Sequence, residues 1–109
     1  MSDSPPPEKQ NPGYVIVDVE VTEPEEYKRY IELAPPSIAT YEGVYLARGG
    51  TTANMEGDWQ PNRLVILKFP SFQRALDWHN SDEYREARTL RNRTANSQMV
   101  AVEGLPENL

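Results

Sequence analysis

The chain has no cysteine and a single histidine among its 109 residues. Without thiols there is no disulfide frame, no thiolate metal site and no cysteine nucleophile, which fits a cytoplasmic setting. One imidazole leaves only scattered carboxylates as further metal ligands, with no pair at a usual spacing, so no metal is expected. Long apolar runs are missing too. Nothing approaches the roughly 18 consecutive apolar residues of a membrane span, and the first residues lack the apolar core of a secretory signal. A soluble protein with no membrane partner is the expectation.

Cations are also scarce: 11 lysines and arginines face 17 aspartates and glutamates, a net charge of −6. The only basic cluster, Arg85, Arg88, Arg91 and Arg93, is interleaved with Asp82, Glu83 and Glu86, so it makes no phosphate-tracking stripe and nucleic acid is not an expected partner. A phosphate cradle is absent as well, because "RGGTT" lacks the spaced glycines and following helix that such a cradle needs. What the chain does favour is arginine, which supplies eight of its eleven cations. Its planar fork suits bidentate recognition of carboxylates, so several arginines are candidates for buried or ligand-facing roles.

At this length there is room for one domain with a modest core, and such domains often gain stability by pairing. Residues 1–12, rich in proline and polar side chains, read as a disordered tail. Residues 13–105 read as the single domain and 106–109 as a short C-terminal tail.

"YVIVDVEV" puts Val15, Val17, Val19 and Val21 on one face and Tyr14, Ile16, Asp18 and Glu20 on the other, the alternation of a strand. Thr22 and Glu25 form a capping-box pattern with Pro24 in the first turn, and helical spacing then runs to Tyr41. Pro35 and Pro36 should kink this helix or divide it. "GVYLARGGTTA" and "RLVILKF" read as the next two strands, joined by the long loop "NMEGDWQPN". Ser71 caps a second helical region, Ser81 restarts it near Asn80, and "QMVAVEG" closes the chain as a strand.

The order βαββαβ is the ferredoxin-like α+β plan, an antiparallel sheet with helices on one face. The other face carries Tyr14, Ile16 and parts of the remaining strands, too apolar to be left in water. A second copy of the chain, forming a homodimer, is the simplest cover.

Two helical positions are anomalous. His79 falls between Phe72, Ala75 and Leu76 on the stripe that should face the sheet, and Arg91 falls between Tyr84, Ala87 and Ala95, with Arg88 at the margin. One reading is a buried pocket of imidazole and guanidinium suited to a small organic acid. The other is structural, with both groups near helix C-termini, where positive charge is favourable. On the strand "VYLAR", simple alternation sets Arg48 on the face of Val44 and Leu46. Gly49 and Gly50 would permit a bulge that re-aims it into a pocket or a dimer seam, with Glu56 as its partner.

"GYVIVDVEVTEPEEYKRY", "YEGVYLARGG", "MEGDWQPNRLVILKFPS", "ALDWHNSDEYREARTLR" and the closing "VEG" together resemble the domain-of-unknown-function 1330 family of the dimeric α/β-barrel superfamily. The resemblance implies a ferredoxin-like protomer whose open sheet packs on a second copy. The family has no established reaction; superfamily relatives include cofactor-independent monooxygenases acting on aromatic substrates, haem-using enzymes and small isomerases, usually with the pocket between helices and sheet. It adds Tyr30, Glu56, Arg63, Trp78 and Ser81 to the ligand-binding candidates Arg48 and Arg88.

For an enzyme, Arg48 and Arg91 would stabilise an anion or oxyanion, and His79 or Tyr84 would give or take a proton. A homodimer that binds a small aromatic or carboxylate ligand, without cofactor, is the leading expectation. A non-catalytic dimer is the second. Haem held by His79 as axial ligand is the third.

Overall fold

In the computed structural model residues 11–107 are described. The disordered-tail expectation therefore falls almost wholly outside the described residues. Pro12 is the exception: it is fully buried and its carbonyl accepts the Gly104 amide, so it belongs with the domain.

The elements are β1 (Gly13–Val21), α1 (Pro24–Thr40), β2 (Val44–Arg48), β3 (Leu64–Phe69), α2 (Phe72–His79), α3 (Asp82–Thr94) and β4 (Ala95–Glu103). They form one antiparallel sheet in the order β2-β3-β1-β4, the ferredoxin-like topology. The expected second helical region is two helices, each started by a serine: Ser71 Oγ accepts from the Arg74 amide and Ser81 Oγ from the Tyr84 amide. Among the described residues no helix is long and apolar enough to cross a membrane.

Alternation decides what the core contains. Val15, Val17 and Val19 of β1 and Val65, Leu67 and Phe69 of β3 point to the helices and are buried against Tyr27, Ala34 and Ile38 of α1, Ala75 and Trp78 of α2, and Tyr84 and Ala87 of α3. Each large apolar side chain so buried contributes roughly 1.5–3 kcal/mol. Among the described residues the opposite face is only partly covered: Trp59 of the long loop reaches Asp18, while Leu46 is 54% exposed and Val100 59%, with Val44 and Val102 beside them.

Several local expectations are corrected. Glu23 rather than Thr22 is the N-cap of α1, and no side chain bonds there. The capping box is displaced because the amides of Thr22 and Glu23 both reach the Thr94 carbonyl at the end of α3. Pro35 and Pro36 do not divide α1, which is a single helix across them. β4 starts at Ala95, directly after Thr94, so Ala95 is a strand residue rather than part of Arg91's helical stripe.

The largest correction concerns β2. Its pairing with β3 slips between Tyr45 and Ala47, leaving Leu46 as an extra residue, so Arg48 comes opposite Val65 just as Tyr45 is opposite Leu67. Paired residues share a face, and the bulge therefore turns Arg48 from the open face to the helix-covered one. The bulge expected at Gly49 and Gly50 lies earlier in the strand.

Candidate functional site

The re-aimed Arg48 lies over the Tyr45 ring, its guanidinium carbon 4.3 Å from the ring centroid. Both line a cavity of ≈ 30 Å³ between α1 and the sheet, together with Arg63, Tyr27, Tyr30 and Trp78. Arg63 stands at the start of β3, where its guanidinium lies against Gly49. A Cβ on that glycine would come within 2.5 Å of Arg63 Nη1, and its φ of +71° is one that other residues resist. Glycine is thus required for Arg63 to lie where it does.

Among the described residues no aspartate or glutamate lines this cavity. Neither Arg48 nor Arg63 makes an ion pair among the described residues, and Arg63 Nε is buried without a hydrogen-bond partner. Arg48 does not pair with Glu56, which is exposed on the loop after β2.

Behind the cavity wall a third arginine is held. Arg91 is 6% exposed, has no acidic partner among the described residues, and donates from Nη1 to the Tyr84 hydroxyl oxygen at 2.6 Å. The Tyr84 and Tyr30 hydroxyls are 2.8 Å apart. Arg91 can only donate, so the Tyr84 oxygen accepts from it, and either hydroxyl can donate in the Tyr84–Tyr30 bond. Tyr30 also lines the cavity, so this chain of hydrogen bonds ends at its wall.

Burial raises the Tyr84 phenol above its ordinary value against the pull of Arg91. Tyr30 is pushed further up, chiefly by burial and then by Tyr84 beside it. Both remain neutral hydrogen-bonding groups at physiological pH. Burial also raises Tyr45, with Arg48 opposing.

Trp78 and Ser81 shape the site without facing a ligand in the same way. Trp78 donates Nε1 to Ser37 Oγ at 3.1 Å and packs its ring 4.2 Å from that of Tyr84. Ser81, besides capping α3, donates Oγ–H to the Trp78 carbonyl. Arg88 bonds the His79 carbonyl and lies 6.0 Å from the Tyr84 ring.

His79 is not at the centre of the buried stripe. Trp78 takes that place with Ala75, the two buried residues of α2, and His79 is half-buried beside them. Its ring lines a separate hollow of ≈ 160 Å³, with Leu76, Asn80, Met99 and Ala101 among the walls. Its pKa is lowered, first by burial and then by Arg91 and Arg88, so the imidazole is neutral at physiological pH. A hollow of that size has no room for a porphyrin, and the residues present do not fit haem.

Tyr45 and Met99 line these spaces and were not legible as site residues. Tyr45 shares a face with Arg48 only because of the bulge, and Met99 carried no signal beyond strand alternation. Asp18, on the open face, accepts from Trp59 Nε1 at 3.0 Å and from the Asn62 amide at 2.9 Å, which ties the long loop to β1.

Solved structures share the fold. A protein of unknown function from Rhodopseudomonas palustris is 19% identical, with a TM-score of 0.70 over 88% of this chain and 84% of its own. SnoaB, a cofactor-independent oxygenase from Streptomyces nogalater, is 12% identical, with a TM-score of 0.61 over 84% of this chain and 91% of its own. A dimeric protein of unknown function and ferredoxin-like fold from Bacteroides fragilis is 16% identical, with a TM-score of 0.51 over 86% and 97%. No curated protein matches the chain. The model of the family described as Domain of unknown function (DUF1330) matches residues 12–105, nearly the whole chain, and the protein belongs to that family.

Proposed function

We propose that this protein is a small homodimer that binds an aromatic, carboxylate-bearing ligand in the cavity between α1 and the sheet. The observation that carries this reading is the pair Arg48 and Arg63 at one cavity with no carboxylate in its lining among the described residues. Arg63 is half-buried and Arg48 exposed, and guanidiniums without counter-ions beside an apolar cavity favour an anion. The Tyr30 hydroxyl offers a further polar group, and the rings of Tyr27, Tyr30 and Tyr45 offer apolar, polarizable walls.

The homodimer is supported by the uncovered residues Leu46, Val44, Val100 and Val102 and by the dimeric Bacteroides fragilis relative in fold. A cytoplasmic setting belongs to the same reading, on the absence of cysteine. Cofactor-independent oxygenase or isomerase chemistry draws support from the likeness to SnoaB, and Arg48, Arg63 and Tyr30 could stabilise an oxyanion formed on the ligand. A specific observation favours plain binding instead. Among the described residues the cavity lining holds phenols and guanidiniums but no group that accepts a proton near neutral pH.

The test is calorimetric titration and thermal shift with benzoate, benzamide and benzyl alcohol on the wild type, Arg48→Gln and Arg63→Gln. Benzoate should bind and stabilise the wild type while the two neutral analogues do so at least about tenfold more weakly, a gap of about 1.4 kcal/mol. Either glutamine variant should remove most of that preference. Equal binding of all three, or none, overturns the reading.

A further inference from the structure

The ≈ 30 Å³ cavity holds about one water, so no organic ligand enters it while every side chain stays where it is. Something in its wall has to move. The cavity and the ≈ 160 Å³ hollow at His79 have two lining residues in common, Trp78 and Met99.

The two differ in how firmly they are held. Trp78 is 1% exposed, hydrogen-bonded to Ser37 and packed between Phe69, at 5.4 Å, and Tyr84. Met99 is half-buried on the edge strand β4, makes no side-chain hydrogen bond among the described residues, and is unbranched. A thioether chain with three rotatable bonds changes rotamer at small cost, whereas moving Trp78 breaks a buried hydrogen bond and two ring contacts.

We propose that Met99 is a movable partition between two chambers of a single ligand site, and that its displacement joins the Arg48 and Arg63 end to the His79 end. The joined space selects an elongated aromatic acid: carboxylate at the arginines, fused rings along the Trp78 face, and the far edge at the imidazole. The chemistry of the two chambers is complementary. One supplies cations and phenols and, among the described residues, lacks a base; the other holds the chain's single imidazole. The ligand class rests on the binding reading given above. The partition itself does not.

The experiment has two arms. In the first, 2-naphthoate and benzoate are titrated into the wild type, Met99→Ala and Met99→Ile. Alanine should raise the affinity for both acids, but that for 2-naphthoate about tenfold more than that for benzoate. Isoleucine, stiff at its branched Cβ, should lower the 2-naphthoate to benzoate ratio. Parallel changes for both acids overturn the proposal. The second arm needs no organic ligand: crystals of Met99→Ala and wild type are pressurised with xenon. One continuous xenon-filled space in the alanine variant supports the partition, and two spaces still divided by Trp78 refute it. If neither acid binds any form while xenon reports one joined space, the carboxylate reading fails and the partition stands.

Discussion

Tyr84 Oη is the acceptor of Arg91 Nη1 at 2.6 Å and lies 2.8 Å from Tyr30 Oη, so one fully buried phenol joins a guanidinium to the cavity wall. Removing that oxygen leaves Nη1 of a buried guanidinium and a second phenol without their partner, while Arg91 Nη2 keeps its bond to Asn92 Oδ1. Tyr84→Phe should therefore lower stability by about 1–3 kcal/mol in urea unfolding. Combining it with Arg91→Met, which takes away the stranded charge, should recover part of the loss. A double-mutant cycle with additive costs would show that the two groups do not act as a unit.

Gly49 and Gly50 are adjacent yet should respond differently. Gly49 has φ +71° and Arg63 against it, while an added Cβ at Gly50 meets nothing within 4 Å. Gly49→Ala should cost more than about 1 kcal/mol and weaken benzoate binding by displacing Arg63. Gly50→Ala should stay within about 0.5 kcal/mol of wild type. Chemical denaturation together with benzoate titration checks both.

The His79 pKa is depressed in the folded state, by burial first and by Arg91 and Arg88 after it. The neutral imidazole is the form the fold prefers, so its contribution is fully present above the unfolded value of about 6.5 and lost as pH falls through the folded value. Between those two values Tm should drop more steeply on acidification in the wild type than in His79→Gln. The only histidine gives a single imidazole resonance, and its NMR titration should centre below the unfolded value; a midpoint above it would contradict the burial described here.

Val100 sits on the open face of the edge strand, 59% exposed and near Val102. In a homodimer through that face, Val100→Lys should produce monomers in sedimentation and abolish any dependence of Tm on protein concentration. An unchanged sedimentation coefficient would place the contact elsewhere.

Much of the fold could be read from residue order. The valines of β1 announced a half-buried strand, and Ser71 and Ser81 announced two helix starts, because alternation and capping are local signals. The slip at Leu46 could not be read so. Nothing in "VYLAR" distinguishes a regular strand from a bulged one, and only the pairing with β3 decides which face receives Arg48. His79 lies at the edge of the buried stripe because α2 turns Ala75 and Trp78 to the core, which leaves Phe72, Leu76 and His79 half-buried beside them. The chain from Arg91 through Tyr84 to Tyr30 spans 61 residues of sequence, and no periodicity connects its ends.

Pro35 and Pro36 bring no amide hydrogens to the middle of α1, so the carbonyls of Ile31 and Glu32, one turn earlier, go without the axial bonds their neighbours enjoy. Ile31 borders the cavity. The roof of the site is thus a beam whose bending stiffness is lowest above the hollow, and flexing it there ruptures no helical hydrogen bond at those two positions.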